Sequence, residues 1–334
     1  MGYRLLSKYR SELMGVAILW VMFFHAFDLD LGLEALNFVR SAGFGGVDIF
    51  ILLSSMGLVL SLSSRTQDYS AFMVRRARRI LPAYFVVMVP YTLFLILAQG
   101  KPWSALIWNS TLLYYWVQAS GGFNWYIAGA MTFYAITPAC FRRLRDASHR
   151  ERTTALCVLL SFLACRVLVR EGYWHAMDFF YRVPVFFLGL LLGFYVLEDR
   201  KLGKKHLLFW CLWLALGMVY LAAALGVDQN QFPLPLCHLF LFSTVPMCLV
   251  LCTGFDRLPL GWLRKFFRLL GEHSLEIYLL NVSLFSQTEL LRKLVSFGPT
   301  NRLYYFLMFT LNILLGVLLH KLVEGIRARR PGAV

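Results

Sequence analysis

A histidine and an aspartate lie three residues apart in the first apolar stretch of the chain. His25 ends the run GVAILWVMFFH, and Asp28 follows it on a neighbouring helix face. Ionisable side chains inside an apolar span cost free energy and mostly serve a function. A neutral imidazole accepts a proton near neutral pH, and a carboxylate on its other ring nitrogen fixes its tautomer. The spacing predicts a functional histidine whose ring tautomer is fixed by Asp28; the alternative is an interfacial histidine wetted by lipid headgroups.

Four arginines fall within the five residues 75–79, in the sequence RRARRILPAY. Arginine binds phosphate through bidentate hydrogen bonds, so Arg75, Arg76 and Arg79 are candidate ligands of a phosphorylated cofactor. The competing interpretation is that this run only orients the chain in the membrane and contacts anionic lipid. Charge alone favours the competing interpretation.

Two further motifs place polar or aromatic residues at the ends of apolar stretches. Asp48 follows three glycines in GFGGVDIF. It is either a site residue or a carboxylate that stabilises a helix N-terminus. Trp125 and Tyr126 begin WYIAGAMTFYAITP, where an aromatic belt at the outer interface is the stronger interpretation.

A carboxylate also lies in the late motif GEHSLEIYLLN. Glu276 is followed by Tyr278 and Asn281, and residues three to five apart lie near one helix face. A buried carboxylate needs a partner, and the sequence predicts an arginine from the 75–79 run. A purely structural ion pair between helices is equally consistent with this pattern.

The composition identifies the elements that must position these residues. The chain has 334 residues, of which 59% are hydrophobic and 15% charged, and its mean hydropathy is +0.63. Soluble domains carry about 25% charged residues, so a soluble enzyme, a disordered chain and a disulfide scaffold are excluded. The sequence predicts an all-α polytopic membrane protein with ten spans. They cover residues 12–29, 43–63, 80–98, 123–141, 153–169, 178–197, 207–226, 233–253, 271–290 and 303–323.

Basic residues give the predicted orientation. With the N-terminus inside, 25 lysines and arginines fall in the inner segments and 6 in the outer ones. This asymmetry follows the positive-inside rule, so both termini are predicted to be cytoplasmic. Residues 104–118 are either an interfacial helix or an eleventh span. The net charge of +15 is spread in short runs between apolar stretches, so no nucleic-acid partner is expected.

The five motifs, in this order, resemble the integral-membrane acyltransferase family 3. GVAILWVMFFH, GVDIFILLSSMGLVLS, RRARRILPAY, WYIAGAMTFYAITP and LGEHSLEIYLL match over almost the whole chain. His25, Arg76 and Arg79 fall on matching positions. Two positions depart from the pattern: Met14 stands where the family has arginine, and Asn281 stands where it has histidine. Arg10 lies one helical turn before Met14 and is the candidate substitute.

The resemblance implies one membrane domain over residues 1–334 that moves an acetyl group from cytoplasmic acetyl-CoA to a hydroxyl of an extracytoplasmic glycan or lipid-linked sugar. It implies that His25 is the general base and that Arg10 and the 75–79 run hold the cofactor. The expected location is the inner (plasma) membrane, and no metal is expected. The alternatives are a proton-coupled transporter or exporter of a lipid or small anion, and a catalytically inactive relative.

Overall fold

The computed structural model describes residues 2–65, 68–117, 125–226, 234–285 and 302–328. In this part of the chain the regular elements are helices, which confirms the predicted all-α class. Short 3-10 turns, Ala42–Gly45 and Leu236–His238, precede α4 and α13, and a π-helical turn, Asn281–Phe285, follows α15. The helices are α1 (Arg4–Lys8), α2 (Arg10–Phe24), α3 (Glu34–Ser41), α4 (Gly46–Ser64), α5 (Tyr69–Gln99), α6 (Ser104–Ser110), α7 (Tyr114–Val117), α8 (Trp125–Arg145), α9 (Arg150–Arg170), α10 (Met177–Phe180), α11 (Val183–Leu197), α12 (Lys204–Gly226), α13 (Leu239–Arg257), α14 (Gly261–Glu272), α15 (Ser274–Leu280) and α16 (Arg302–Ala328).

Within the described residues, seven helical segments are long and apolar enough to cross a membrane. They match seven of the ten predicted spans. The other three predicted spans, 12–29, 123–141 and 271–290, fall on α2, on α8 and on α15 with the π-helical turn that follows it, which are not among the seven. Residues 123–124, 233 and 286–290 of the predicted spans lie outside the described part. The seven segments are Glu34–Ser64, Tyr69–Gln99, Arg150–Arg170, Met177–Leu197, Lys204–Gly226, Leu236–Arg257 and Arg302–Ala328.

The first helix is shorter than the predicted span 12–29. α2 ends at Phe24, so His25 caps its C-terminal end instead of lying inside a longer helix. The chain then turns because the Asp30 carboxylate accepts hydrogen bonds from the amide of Gly32 and the side chain of Asn37. These two bonds, the Asn37 bond first, lower the pKa of Asp30 below its ordinary value.

Residues 104–117 do not form a spanning helix. They form α6 and α7, of seven and four residues, separated at Leu112 by a left-handed backbone conformation with φ of 62°. A helix needs about 20 residues to cross the hydrocarbon core, so neither piece reaches across. Gln118, the last residue of the predicted segment, lies outside the described residues.

The centre of the fold is formed by α2 and α4, whose inward residues are almost completely buried. α2 packs against α4 and, most closely, against α14. Glycines bring the backbones of α2 and α14 into contact. A Cβ on Gly15 would lie 1.9 Å from the carbonyl oxygen of Phe267, and one on Gly271 would lie 1.8 Å from that of Ser11. The two helices are therefore joined through their main chains at two points.

Replacing Gly271 with alanine is expected to destabilise the protein by about 1–3 kcal/mol, because the new methyl group would collide with a backbone atom that cannot rotate away. Gly261 begins the same helix, and nothing lies within 4 Å of a Cβ built there. Gly261→Ala is the matched control and should melt at the wild-type temperature. Thermal unfolding in detergent measures both variants; equal melting temperatures for the two would contradict the backbone contact.

Candidate functional site

A basic cavity of about 440 Å³ opens among α2, α4, α5, α8, α14, α15 and α16. Four arginines line it, and three helices supply them: Arg10 from α2, Arg76 and Arg79 from α5, and Arg327 from α16. Such a concentration of guanidinium groups suits an anion with several phosphate oxygens. We call this space the basic cavity.

Arg10 enters the basic cavity beside a glycine. A Cβ on Gly57 would lie 3.1 Å from the guanidinium carbon of Arg10, so a larger residue there would crowd it. The Nε atom of Arg10 is buried and, within the described residues, has no hydrogen-bond partner. Met14 lines the same cavity one helical turn further along α2. The arginine expected at position 14 from the resemblance thus has a counterpart in the same cavity.

The arginine run of α5 is divided between the cavity and the protein surface. Arg76 donates from Nη2 to the hydroxyl of Ser61 at 2.8 Å, and its guanidinium lies over the ring of Tyr134 at 6.0 Å. Arg79, three residues on, lines the cavity on the same helix face. Arg75 is exposed and is not among the lining residues. Two of the three arginines predicted from this run therefore share the cavity, and the third lies outside it.

The partner of Glu276 differs from the sequence prediction. Glu276 is buried, and its Oε1 lies 3.1 Å from Nδ1 of His320 instead of meeting an arginine of the 75–79 run. The pairing follows from the packing of α15 against α16. Sequence reasoning missed His320, although a histidine within the apolar run GVLLHKLV was a signal for it.

The Glu276–His320 pair is expected to show a coupling energy of about 0.5–3 kcal/mol in a double-mutant cycle, because each single substitution to alanine leaves the other side chain without its partner. Chemical unfolding of Glu276→Ala, His320→Ala and the double variant measures it. His273 is the matched control: its ring packs 4.7 Å from that of His320, but its Nδ1 faces the carbonyl oxygen of Leu269. A double-mutant cycle of Glu276→Ala with His273→Ala should give a coupling energy near zero. Equal coupling energies in the two cycles would contradict a specific Glu276–His320 pair.

The side-chain amide of Asn281 lies within hydrogen-bonding reach of the half-buried His25 ring. The same ring lies within hydrogen-bonding reach of the Val21 carbonyl oxygen, one helical turn earlier. Asp28, the partner predicted from the sequence, is exposed beyond the end of α2, and the neighbouring polar group is Asn281 instead. The structure thus brings together the ends of the first and last motifs.

A third polar group is completely buried beside Trp125. The Oδ2 atom of Asp48 lies 3.8 Å from Nε of Arg182, and both side chains are at most 3% exposed. The Arg182 guanidinium also lies 4.7 Å over the Trp125 ring. Within the described residues, neither carboxylate oxygen of Asp48 has a hydrogen-bond partner. Arg182 was missed as a site candidate, although an arginine before the apolar run VPVFFLGLLLG was its signal.

Tyr126 and Tyr278 also line the basic cavity. Their rings pack edge to face with centroids 5.2 Å apart. Trp125 contacts the buried Arg182, so both members of the predicted Trp–Tyr pair contribute to internal contacts. The aromatic-belt interpretation therefore does not account for these two residues.

Two helices connect the basic cavity with the His25–Asn281 pair. α2 carries Arg10 in the cavity, and His25 follows 15 residues later, about 22 Å along the helix. α15 carries Tyr278 in the cavity, and Asn281 follows three residues later. One end of this arrangement suits a phosphorylated ligand and the other offers an imidazole to a reacting group.

Comparisons with known proteins agree with the order of the motifs. The model of the family described as an acyltransferase domain, acyltransferase family 3, matches residues 13–321. No curated protein and no solved structure matches the chain. The match begins after Arg10 and covers His25, Asp48, the arginine run and Glu276. The apolar helices, the cavity between them and this match over most of the chain lead to one conclusion: the protein belongs to the acyltransferase family 3 of membrane acyltransferases.

Proposed function

We propose that the protein is an O-acyltransferase that moves an acetyl group from acetyl-CoA to a hydroxyl of an extracytoplasmic glycan or lipid-linked sugar. One observation carries the proposal furthest. α2 and α15 each contribute to the basic cavity at one end and to the His25–Asn281 pair at the other. A donor bound by its phosphates at one end would present its acyl group towards the other.

The proposed arrangement has ten spans in a single domain over residues 1–334, with both termini in the cytoplasm and the protein in the plasma membrane. The distribution of 25 inner and 6 outer basic residues supports this orientation. In it, α2 runs outward from Arg10, so the basic cavity faces the cytoplasm where acetyl-CoA is available. His25 then lies near the outer surface, where a glycan hydroxyl arrives.

In the proposed donor site the guanidinium groups of Arg10, Arg76 and Arg79 bind the phosphates of CoA. Charge-assisted bonds from arginine to phosphate are strong and oriented. The pantetheine arm would extend between α2 and α15 past Tyr126 and Tyr278. The separation of about 22 Å between Arg10 and His25 is of the order that an extended arm spans.

In the proposed reaction the acceptor hydroxyl attacks the thioester carbonyl of acetyl-CoA. A carbon–oxygen bond forms, the carbon–sulfur bond breaks, and the imidazole ring of His25 takes the hydroxyl proton. The imidazolium then returns the proton to the departing CoA thiolate. Asn281 holds the ring through its side-chain amide, in the role that the sequence assigned to Asp28.

Mass spectrometry of envelope glycans tests the proposal directly. Cells that express the wild-type protein should carry an acetyl ester that cells without the gene lack. Purified protein should bind CoA in calorimetry, since a transporter of a lipid or small anion has no reason to recognise 3′-phosphoadenosine. Unchanged glycans together with absent CoA binding would overturn the proposal and favour the transporter.

A further inference from the structure

A second large cavity, of about 710 Å³, lies between α9, α11, α12 and α13 and shares no lining residue with the basic cavity. We call it the apolar cavity, because most of the residues that line it have aliphatic or aromatic side chains, such as Leu188, Trp213 and Phe242. The polar side chains that line it belong to the N-terminal ends of α9 and α12, the C-terminal end of α11, and the start of the chain. They are Tyr3, Glu151, Arg152, Thr154, Tyr195 and His206.

The depth of the apolar cavity matches one leaflet of a membrane. Along α9 its lining extends from Glu151 to Phe162, which is about 16 Å at the rise of an α-helix. The hydrocarbon core of a bilayer is about 30 Å thick, so the cavity reaches roughly to its middle. A space with this depth, polar at one end and apolar along its length, suits a single lipid chain below its headgroup.

Two polar atoms at this end are buried without a partner. Thr154 is 1% exposed and lines the cavity, yet its hydroxyl has no hydrogen-bond partner within the described residues. The same holds for Nδ1 of His206 in the part of the chain that the structure describes. Buried polar groups are nearly always hydrogen-bonded, so these two atoms indicate a ligand with oxygen atoms at this depth.

The charges around this end favour an anionic ligand. Glu151 is neutralised by Arg200, whose Nη1 lies 2.5 Å from its carboxylate, and Glu198 pairs with Arg150 as well as Arg200. Cations are left over at the same end: Arg152, Lys204 and Lys205, among others, form no ion pair within the described residues. Of these, Arg152 lines the cavity itself.

We propose that the apolar cavity binds one acyl chain of an anionic phospholipid, whose phosphate contacts Arg152 and accepts a hydrogen bond from Thr154. This site goes beyond the proposed acyl transfer. Only the assignment of the bound lipid to the cytoplasmic leaflet rests on the proposed orientation. The bound lipid would satisfy the buried polar atoms and fill the space between α9 and α12.

Native mass spectrometry of delipidated protein tests the site with two probes, phosphatidylglycerol and phosphatidylcholine with identical chains. Phosphatidylglycerol should bind more tightly than phosphatidylcholine, because both lipids carry the phosphate but the choline cation of phosphatidylcholine is repelled by Arg152, Lys204 and Lys205. Ala155→Phe, which fills the cavity, should abolish retention of one phosphatidylglycerol molecule. Arg152→Gln should weaken phosphatidylglycerol binding about tenfold. It should also reduce the preference for phosphatidylglycerol over phosphatidylcholine, because one of the cations that repels choline is removed.

Matched variants outside the cavity control for general effects. Ala164 is exposed on the same helix and does not line the cavity, so Ala164→Phe should bind lipid like the wild type. Arg142 is an exposed arginine at the end of α8, and Arg142→Gln should not change the preference for phosphatidylglycerol. If Ala155→Phe does not fold, Arg152→Gln still decides.

Equal affinity for the two phospholipids, or displacement of phosphatidylglycerol by equimolar polyisoprenyl phosphate or long-chain acyl-CoA, would overturn the proposal. Normal binding in Ala155→Phe would also overturn it. These results are independent of acyl transfer, because the readout is bound lipid. Loss of lipid binding and loss of enzyme activity can therefore be distinguished in the same preparations.

Discussion

Replacing His25 with alanine is expected to lower acyl transfer by about 10²–10⁴-fold, the usual contribution of a general base. The reason is the position of the ring at the end of α2, beside the side-chain amide of Asn281. The loss falls on the transition state, so acetyl-CoA binding should stay at the wild-type level. Transfer from labelled acetyl-CoA to the native acceptor, and calorimetry with CoA, measure the two quantities.

His149 provides the matched control for this substitution. It is an exposed histidine in the loop between α8 and α9, and His149→Ala should transfer acetyl groups at the wild-type rate. Asn281→Ala should lower the rate less than His25→Ala, because a misoriented base still accepts protons. Full activity in His25→Ala would show that another group removes the hydroxyl proton, even though the family membership would stand.

Removing two arginines of the basic cavity together, in Arg10→Ala/Arg76→Ala, is expected to weaken acetyl-CoA binding by about 10²–10⁴-fold. Each charge-assisted hydrogen bond contributes about 1.5–3 kcal/mol, so each arginine accounts for at least tenfold. Arg10 approaches Gly57, and Arg76 lies beside Ser61 and Tyr134, so both guanidinium groups are held in place before a ligand arrives. Calorimetric titration with CoA measures the change.

Arg75 separates this prediction from a general effect of charge. It belongs to the same run as Arg76 but is exposed and does not line the cavity. Arg75→Ala removes the same charge one residue away and should bind CoA within about twofold of the wild type, as surface charges contribute little. If Arg75→Ala and Arg76→Ala weakened binding equally, the run would act through orientation or lipid contact, as the competing interpretation holds.

The sequence predicted the features that depend on local pattern. Apolar stretches of about 20 residues locate helices such as α5, α11 and α16, because a chain in the membrane interior must satisfy its backbone hydrogen bonds internally, as a helix does. The spacing of the arginine run was also informative, since helix periodicity places Arg76 and Arg79 on one face. Periodicity does not separate Arg75 from Arg79, which are four residues apart, so its place outside the cavity depends on the packing of α5 against its neighbours.

The sequence did not reveal pairs that form between helices. Glu276 meets His320, and Asp48 meets Arg182, because α15 packs on α16 and α4 on α11. Which helices are neighbours, and how each is rotated, depends on packing across the whole bundle and leaves no mark in a single stretch of sequence. The end of α2 was also missed, because apolar residues such as Phe27 and Leu29 continue beyond Phe24, where the helix ends.

The two glycine contacts between α2 and α14 have a consequence for motion in the protein. Where main chains touch, no side chain can change rotamer to absorb a displacement, so the two helices move as one rigid body. The opposite wall is held differently: Arg327 of α16 donates hydrogen bonds to the carbonyl oxygens of Arg78 and Arg79 in α5. Both bonds come from one side chain, which can change rotamer, so a displacement of α16 relative to α5 meets less resistance than one of α2 relative to α14.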